Sequence, residues 1–289
     1  MSGNAGSEWD VATIMGGLYG DGIIGLKGAF DRAWAMRMRE DIEALFEEAR
    51  GVPGGALPRG PERFYVEVHP ERVRGFVDIA THPWFVAVCE AVLGADYRIV
   101  EVGFDIPFPG AADQPWHRDF ASPDATLYGR RLNTLAFNLT AVDTTRDMGP
   151  LEIALGTQWD DLSAYPKGMF PPRELWPRYE QRKAEKMPQM GDMSARSALT
   201  IHRGTANRSR EPRPVLVVGV DAPDATNARH HDLQVTGAYA RTLPPRVIDH
   251  LTYRTVDELR SVVQHHVIEG LLTPAYASAA AELTKVRAG

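Results

Sequence analysis

Tyr97-Arg98-Ile99-Val100-Glu101-Val102-Gly103-Phe104 is the first of a series of short β-rich runs, and with it the texture of the chain changes. It is followed by Leu132 to Val142, Leu151 to Ala154, Ala198 to His202 and Val215 to Val220, punctuated by Pro and Gly. Short strands separated by turn residues are the pattern of an antiparallel sandwich or barrel. No repeating unit of strand, glycine-rich turn and helix appears, so a doubly wound nucleotide-binding fold is disfavoured. No internal repeat is visible. The expected class is mainly β with flanking helices.

Working outward, the segment before residue 96 reads as helical. From Asp31 to Gly51, Trp34, Met38, Ile42, Leu45 and Phe46 recur at three- and four-residue intervals among charges, the spacing of an amphipathic helix. A second helix is expected from Pro83 to Leu93, with Pro in its first turn and Gly94 free to adopt a left-handed φ at its end. Cys89 lies on its expected buried face. Between the strands, Asp160 to Gln189 mixes prolines and charges with Tyr165, Phe170, Trp176 and Tyr179, which predicts a long ordered loop with one helical turn. Near the end, Thr255-Val256-Asp257-Glu258 matches a capping box leading into Leu259, Val262, Val263 and Ile268. That helix is expected against a sheet or a second copy of the chain, which leaves a homo-oligomer open. The organisation anticipated is a single domain over 1–289: a helical part at 1–95, a β core at 96–221 containing the loop 160–189, and an extension at 222–289.

The bulk numbers narrow the function. In 289 residues, 44% are hydrophobic, 24% charged and 9% aromatic, an ordinary globular composition. A net charge of −6 disfavours an extended nucleic-acid face, so a small-molecule partner is expected. The single cysteine excludes an intrachain disulfide and a thiolate cluster for zinc or iron–sulfur, in keeping with a reducing cytoplasm. No signal peptide or membrane span is read from the sequence.

The chemistry concentrates in Gln114-Pro115-Trp116-His117-Arg118-Asp119-Phe120. On an extended backbone, His117 and Asp119 project to one side and Arg118 to the other, so an imidazole and a carboxylate can reach a common metal. Leu199-Thr200-Ile201-His202 supplies a histidine at the end of another expected strand. Two histidines and a carboxylate make the facial triad of non-haem Fe(II) oxygenases, which leaves metal positions open for substrates. Eleven residues after His202 comes Arg213, whose guanidinium can grip a carboxylate with two parallel hydrogen bonds.

These segments resemble the phytanoyl-CoA dioxygenase (PhyH-like) family of Fe(II)/2-oxoglutarate-dependent oxygenases. The resemblance rests on Trp116 to Phe120, on Met148-Gly149-Pro150-Leu151-Glu152-Ile153 with Gly156-Thr157-Gln158-Trp159, on Gly191-Asp192, and on His202-Arg203-Gly204-Thr205-Ala206-Asn207-Arg208-Ser209 through Arg213. It implies a double-stranded β-helix (jelly-roll, cupin-like) core, with the iron on His117, Asp119 and His202. It implies that Arg213 clamps the distal carboxylate of 2-oxoglutarate, with Thr134 as a second donor. The activity implied is a dioxygenase, most simply a hydroxylase, oxidising an aliphatic C–H bond of a small metabolite or natural-product intermediate with dioxygen. Retention of Asp119 speaks against halogenation, which in related enzymes replaces that carboxylate. The chain departs from the family at Leu155-Gly156-Thr157-Gln158, where a Pro commonly precedes the Gly and a His closes the segment; this departure is expected to alter the substrate pocket. Gly22 to Phe30 fits the family's usual glycine-rich strand entering a helix.

The remaining histidines have plainer readings. His69 and His82 each precede a proline and are expected to be structural. His230-His231-Asp232 would place adjacent residues on opposite faces, which argues against a second metal. His265-His266 falls in the C-terminal helix. Asp192 is expected to bond backbone amides at a turn. Phe64, Tyr65 and Trp116 are the expected walls of the substrate pocket, under a lid formed by residues 160–189. Two other readings stay open: a non-catalytic ligand-binding module on the same scaffold, and a zinc hydrolase using the same three ligands.

Overall fold

The computed structural model describes residues 9–165 and 168–263. Asp10, whose carboxylate accepts from the amides of Ala12 and Thr13, starts α1 (Val11–Gly20). Asp31 does the same for α2 (Arg32–Arg50) by accepting from Trp34 N at 2.7 Å, and the helix buries Trp34, Met38, Ile42, Leu45 and Phe46 as the periodicity predicts. Helix α3 (Phe76–Thr81) leads into α4 (Pro83–Leu93), where the His82 ring accepts from Trp84 N. Gly94 ends it with φ 93°. Four short helices follow: α5 (Asp124–Leu127), α6 (Trp176–Arg182), α7 (Gly237–Ala240) and α8 (Pro245–His250).

The strands form two facing layers of unequal width. The wide sheet comprises β1 (Ile23–Leu26), β2 (Leu57–Pro58), β3 (Arg63–Glu67), β4 (Arg98–Pro107), β5 (Thr134–Thr140), β8 (Met193–Ser197) and β10 (Val215–Asp221), antiparallel in the order β1-β8-β5-β10-β4-β3-β2. The narrow sheet contains β6 (Leu151–Ala154), β7 (Lys183–Lys186) and β9 (His202–Gly204), in the order β7-β6-β9. Strands β11 (Gln234–Thr236) and β12 (Arg254–Val256) pair in parallel beside them. This is a double-stranded β-helix with helices on the outside of its wide sheet.

Alternation assigns the two faces of that sheet. Val102, Phe104 and Ile106 on β4, Leu135, Phe137 and Leu139 on β5, and Leu216, Val218 and Val220 on β10 join the buried faces of α2, α3 and α4 in one apolar cluster. The intervening residues Glu101, Asp105, Ala136, Asn138, Val215, Val217, Gly219 and Asp221 line the cavity between the layers. The sheet is thus covered on one face by helices and closed on the other by the narrow sheet.

Several sequence expectations need correction. Ala198 to His202 is not a strand: β8 stops at Ser197, a turn closed by Thr200 N to Ser197 O at 3.1 Å crosses between layers, and β9 begins at His202. Residues 114–120 are likewise extended without forming a strand, held by an isolated antiparallel bridge between His117 and His202. The 160–189 segment is less of a loop than expected, since its second half is α6 followed by β7, which pairs with β6. The capping box is not used, because Thr255 lies within β12. The helix expected after it, with His265-His266, lies outside the described residues; Val262 and Val263 are buried, and Val263 N donates to Glu67 O at 2.9 Å.

Candidate active site

Three ligand groups meet between the layers. His117 and His202 exchange backbone hydrogen bonds, His117 N to His202 O at 3.0 Å and His202 N to His117 O at 2.8 Å, which fixes the two side chains next to each other with ring centroids 4.5 Å apart. Asp119 N donates to Ala198 O at 2.9 Å, which brings its carboxylate to the same point. One ligand atom from each of His117, Asp119 and His202 lies within 4.8 Å of the others, the only such group of three among the described residues. Nδ1 of His117 is 2.8 Å from Pro115 O and Nδ1 of His202 is 2.9 Å from Thr200 O. Each carbonyl can only accept, so Nδ1 carries the proton and donates to it, and each Nε2 is left with its lone pair, the arrangement a metal-binding imidazole needs. Nε2 of His202 stands 3.5 Å from Asp119 Oδ1.

The surroundings keep the three groups in forms able to ligate a metal. Burial lowers His117 to about 4 and His202 well below the usual imidazole range, so both rings are neutral at physiological pH. Burial would raise Asp119, but Arg196 and the two imidazoles outweigh it and hold the carboxyl at about 2. Arg196 Nη1 donates to Asp119 Oδ2 at 2.6 Å, leaving Oδ1 directed at the histidines. Sequence reading missed Arg196, which sits on the polar face of β8.

Arg213 lies in the same cavity, 6% exposed. Burial and the nearby Arg63 push its guanidinium down to about 10, against Asp105, which is 4.0 Å away. Arg63 is itself paired with Asp105 at 2.9 Å. Two buried guanidiniums therefore face one carboxylate, and Arg213 Nε and Asn138 Oδ1 have no hydrogen-bond partner among the described residues. Such an excess of buried positive charge and orphaned polar atoms suits a carboxylate-bearing ligand. The donor set fits both an Fe(II) ion at the triad and 2-oxoglutarate between the triad and Arg213.

The other sequence-predicted site residues divide. Tyr65 lines the cavity, and its hydroxyl donates to Glu101. Thr134 also lines it, but at the far end of β10 from Arg213: Thr134 pairs with Asp221, whereas Thr140 pairs with Val215. The two do not meet on one carboxylate, and the Thr134 hydroxyl instead accepts from Asn227 at 3.1 Å. Phe64 faces outward against Phe46 and Phe108. Trp116 is fully buried behind the narrow sheet with Tyr179, its ring under Arg203. Neither is a cavity wall; Phe120, on the following residues of the same segment, is.

The segment 160–189 packs behind the site. Phe170 stacks on His117 at 6.0 Å, Leu162 and Tyr179 join Trp116, and none of its described residues lines the cavity. The Gln158 departure from the family pattern is structural: its amide donates to the carbonyls of Leu18, Tyr19 and Gly20, the open end of α1. His69 accepts from Gln234 N, and Asp192 accepts from Gly28 N and Gln189 N, as their plainer readings anticipate. His231 pairs with Glu67 at 2.9 Å rather than with a metal group.

A jelly roll whose cavity holds two neutral histidines, an ionised aspartate and a buried arginine defines a non-haem Fe(II)/2-oxoglutarate oxygenase. Residues 18–215 match the phytanoyl-CoA dioxygenase (PhyH) family, and the chain belongs to it. Solved structures share the fold at low identity. The non-haem α-ketoglutarate-dependent carbocyclase SnoK from nogalamycin biosynthesis superposes with a TM-score of 0.61 at 18% identity, over 78% of this chain and 89% of its own. EctD from S. alaskensis, solved with 2-oxoglutarate and 5-hydroxyectoine, gives 0.60 at 14% identity, over 76% and 79%. AviO1 from Streptomyces viridochromogenes Tue57 gives 0.55 at 16%, over 77% and 99%. No curated protein sequence matches significantly. No helix among the described residues is long and apolar enough to cross a membrane.

Proposed function

We propose that the chain binds Fe(II) through His117, Asp119 and His202, binds 2-oxoglutarate through Arg213, and oxidises an aliphatic C–H bond of a small metabolite or natural-product intermediate, most simply by hydroxylation. The observation that carries this reading is the convergence of the three ligand groups within 4.8 Å in a cavity that Arg213 also lines. When bound, iron and 2-oxoglutarate supply the oxidising power: dioxygen is consumed, the keto acid is decarboxylated to succinate, and a hydrogen leaves an unactivated carbon. The protein's share is positional. The two carbonyl-pinned imidazoles and the Arg196-held carboxylate present one face of donors and leave the opposite side open. Arg213 orients the co-substrate by its distal carboxylate, and the closed jelly roll limits water around the reacting groups.

SnoK and the related SnoN are described as a carbocyclase and an epimerase. Ring closure and epimerisation can begin from the same hydrogen removal, and substrate placement decides among them. Anaerobic loading with Fe(II) and 2-oxoglutarate, followed by oxygen and measurement of succinate, tests the proposal. Stoichiometric succinate that disappears in His117→Ala, Asp119→Ala and His202→Ala supports it. A protein that binds zinc and hydrolyses esters without 2-oxoglutarate would refute it in favour of a hydrolase. One that binds ligands without forming succinate would be a binding module.

A further inference from the structure

The cavity has a second end, and its charge is opposite to that at Arg213. Glu67 on β3, Glu101 on β4 and Asp221 on β10 all line it. Hydrogen bonds connect this end to the triad: Asp119 N donates to Ala198 O, Ala198 N donates to Thr134 O, and Thr134 pairs with Asp221. The strand faces are shaped to admit polar side chains here. A Cβ on Gly219 would lie 2.7 Å from Glu101 Oε2, and one on Gly103 would lie 2.3 Å from the Tyr65 hydroxyl, so only glycine at both positions leaves room.

These carboxylates are incompletely matched. Glu67, 1% exposed, is paired with His231. Burial disfavours charge on His231, but Glu67, Glu101 and Asp221 prevail and raise it to about 9, so it is a cation at neutral pH. Glu101 accepts from Tyr65, over whose ring Arg59 lies at 4.6 Å. Asp221, 1% exposed, accepts from Asn227 through Oδ1 at 3.1 Å and is also steadied by the Thr134 hydroxyl, while Oδ2 is buried without a well-formed hydrogen bond among the described residues; burial raises the pKa of Asp221, as it does that of Glu67. Arg196 is engaged by Asp119. Three carboxyl groups thus face two cations, and one of them has a buried oxygen left without a well-formed hydrogen bond. They do not converge as metal ligands do, because the triad alone meets that test among the described residues. An N–H-bearing organic cation would donate to that oxygen and offset the burial that disfavours charge on Glu67 and Asp221.

We propose that this end is an ammonium subsite: the substrate carries a protonated amine that donates to Asp221 Oδ2, with Glu101 and Glu67 supplying the field, and a C–H bond along its skeleton faces the triad. The proposal deepens the oxygenase reading and rests on this cavity being its active site. A neutral polyol would leave the charge unbalanced, and an anion would be repelled.

The test is equilibrium binding to the anaerobic Fe(II)- and 2-oxoglutarate-loaded protein, by calorimetry, of primary aliphatic amines of about four to ten carbons and of the alcohols and carboxylates of the same skeletons. The best amine is expected to bind at least about tenfold tighter than its alcohol, with the carboxylate weakest. Asp221→Asn, and separately Glu101→Gln, should erase that preference, while 2-oxoglutarate affinity and Asp224→Asn, a surface control, stay at wild-type values. Melting curves of the variants identify any that fail to fold, and two independent positions keep the test decisive. Equal binding of amine and alcohol, no amine binding at all, or a preference that survives in both variants would overturn the proposal. Succinate formation with no amine preference would refute this subsite alone, whereas amine preference without succinate would refute the oxygenase reading.

Discussion

Replacing Arg213 with lysine keeps a single amine in place of the planar fork. In the structure the guanidinium is 6% exposed, stands 4.0 Å from Asp105, and has Nε unpartnered. Most of its donor capacity is therefore available to a ligand carboxylate. A lysine at the same position offers one ammonium contact in place of two parallel bonds. Loss of one charge-assisted bond costs about 1.5–3 kcal/mol, which is roughly 10- to 150-fold in affinity. Burial beside Arg63 also favours the neutral amine, which pushes the effect toward the upper end of that range. Succinate release measured against 2-oxoglutarate concentration should show the rise in KM, and anaerobic iron titration should show an unchanged metal affinity. A KM within about twofold of wild type would refute the assignment. Arg208 and Arg210 would not inherit the role, since both are exposed and neither lines the cavity; Arg63 would be tested next.

Asp119→Ala should abolish iron binding and also destabilise the protein by about 3 kcal/mol, because it strands Arg196 in a site where its side chain is 8% exposed; Asp119→Asn should recover much of that stability in urea melts without restoring turnover. His231 has a folded-state pKa raised from 6.5 to about 9, so its pairing stabilises fully below pH 6.5 and is lost as pH rises through 9. The contribution is at most about 3 kcal/mol, and His231→Gln should flatten the stability profile between pH 6.5 and 9; a parallel decline in wild type and variant would exclude the pair as its cause. Gly149→Ala should cost about 2 kcal/mol or more, since φ there is +75° and the new Cβ would sit 2.4 Å from Thr205 O; an unchanged denaturation midpoint would contradict the backbone geometry.

Much of this was legible because the signals were local. The helix spacing from Asp31 to Gly51, the Pro83 to Leu93 helix, the β-rich runs at Leu151 and Val215, and the His117, Asp119 and His202 set all depend on residues near one another or on a recognisable family motif. The misreadings arose where tertiary pairing decides. Ala198 to Ile201 looks like a strand by composition, yet its backbone groups serve a crossing between layers. Thr255 has a good capping sequence, but pairing of β12 with β11 overrides it. Trp116 and Phe64 are aromatic neighbours of cavity residues in sequence, and their outward directions depend on which face the second layer closes. For the same reason Glu67, Glu101, Arg196 and Asp221 were invisible as site residues: polar positions alternating with apolar ones read as the solvent face of a half-buried sheet until a second sheet encloses them.

The reciprocal bond pair between His117 and His202 also bears on when the proposed metal centre would come into being. Peptide hydrogen bonds set the spacing of the two ligands, and the carbonyls of Pro115 and Thr200 set their ring orientations. An ion bound there would be a ligand of a state that is already folded, unlike the zinc of a small finger domain, whose binding free energy is spent on folding. Its thermal protection should grow only with the logarithm of free metal above the dissociation constant. A chelator would then empty the centre and leave the jelly roll standing, ready to be refilled.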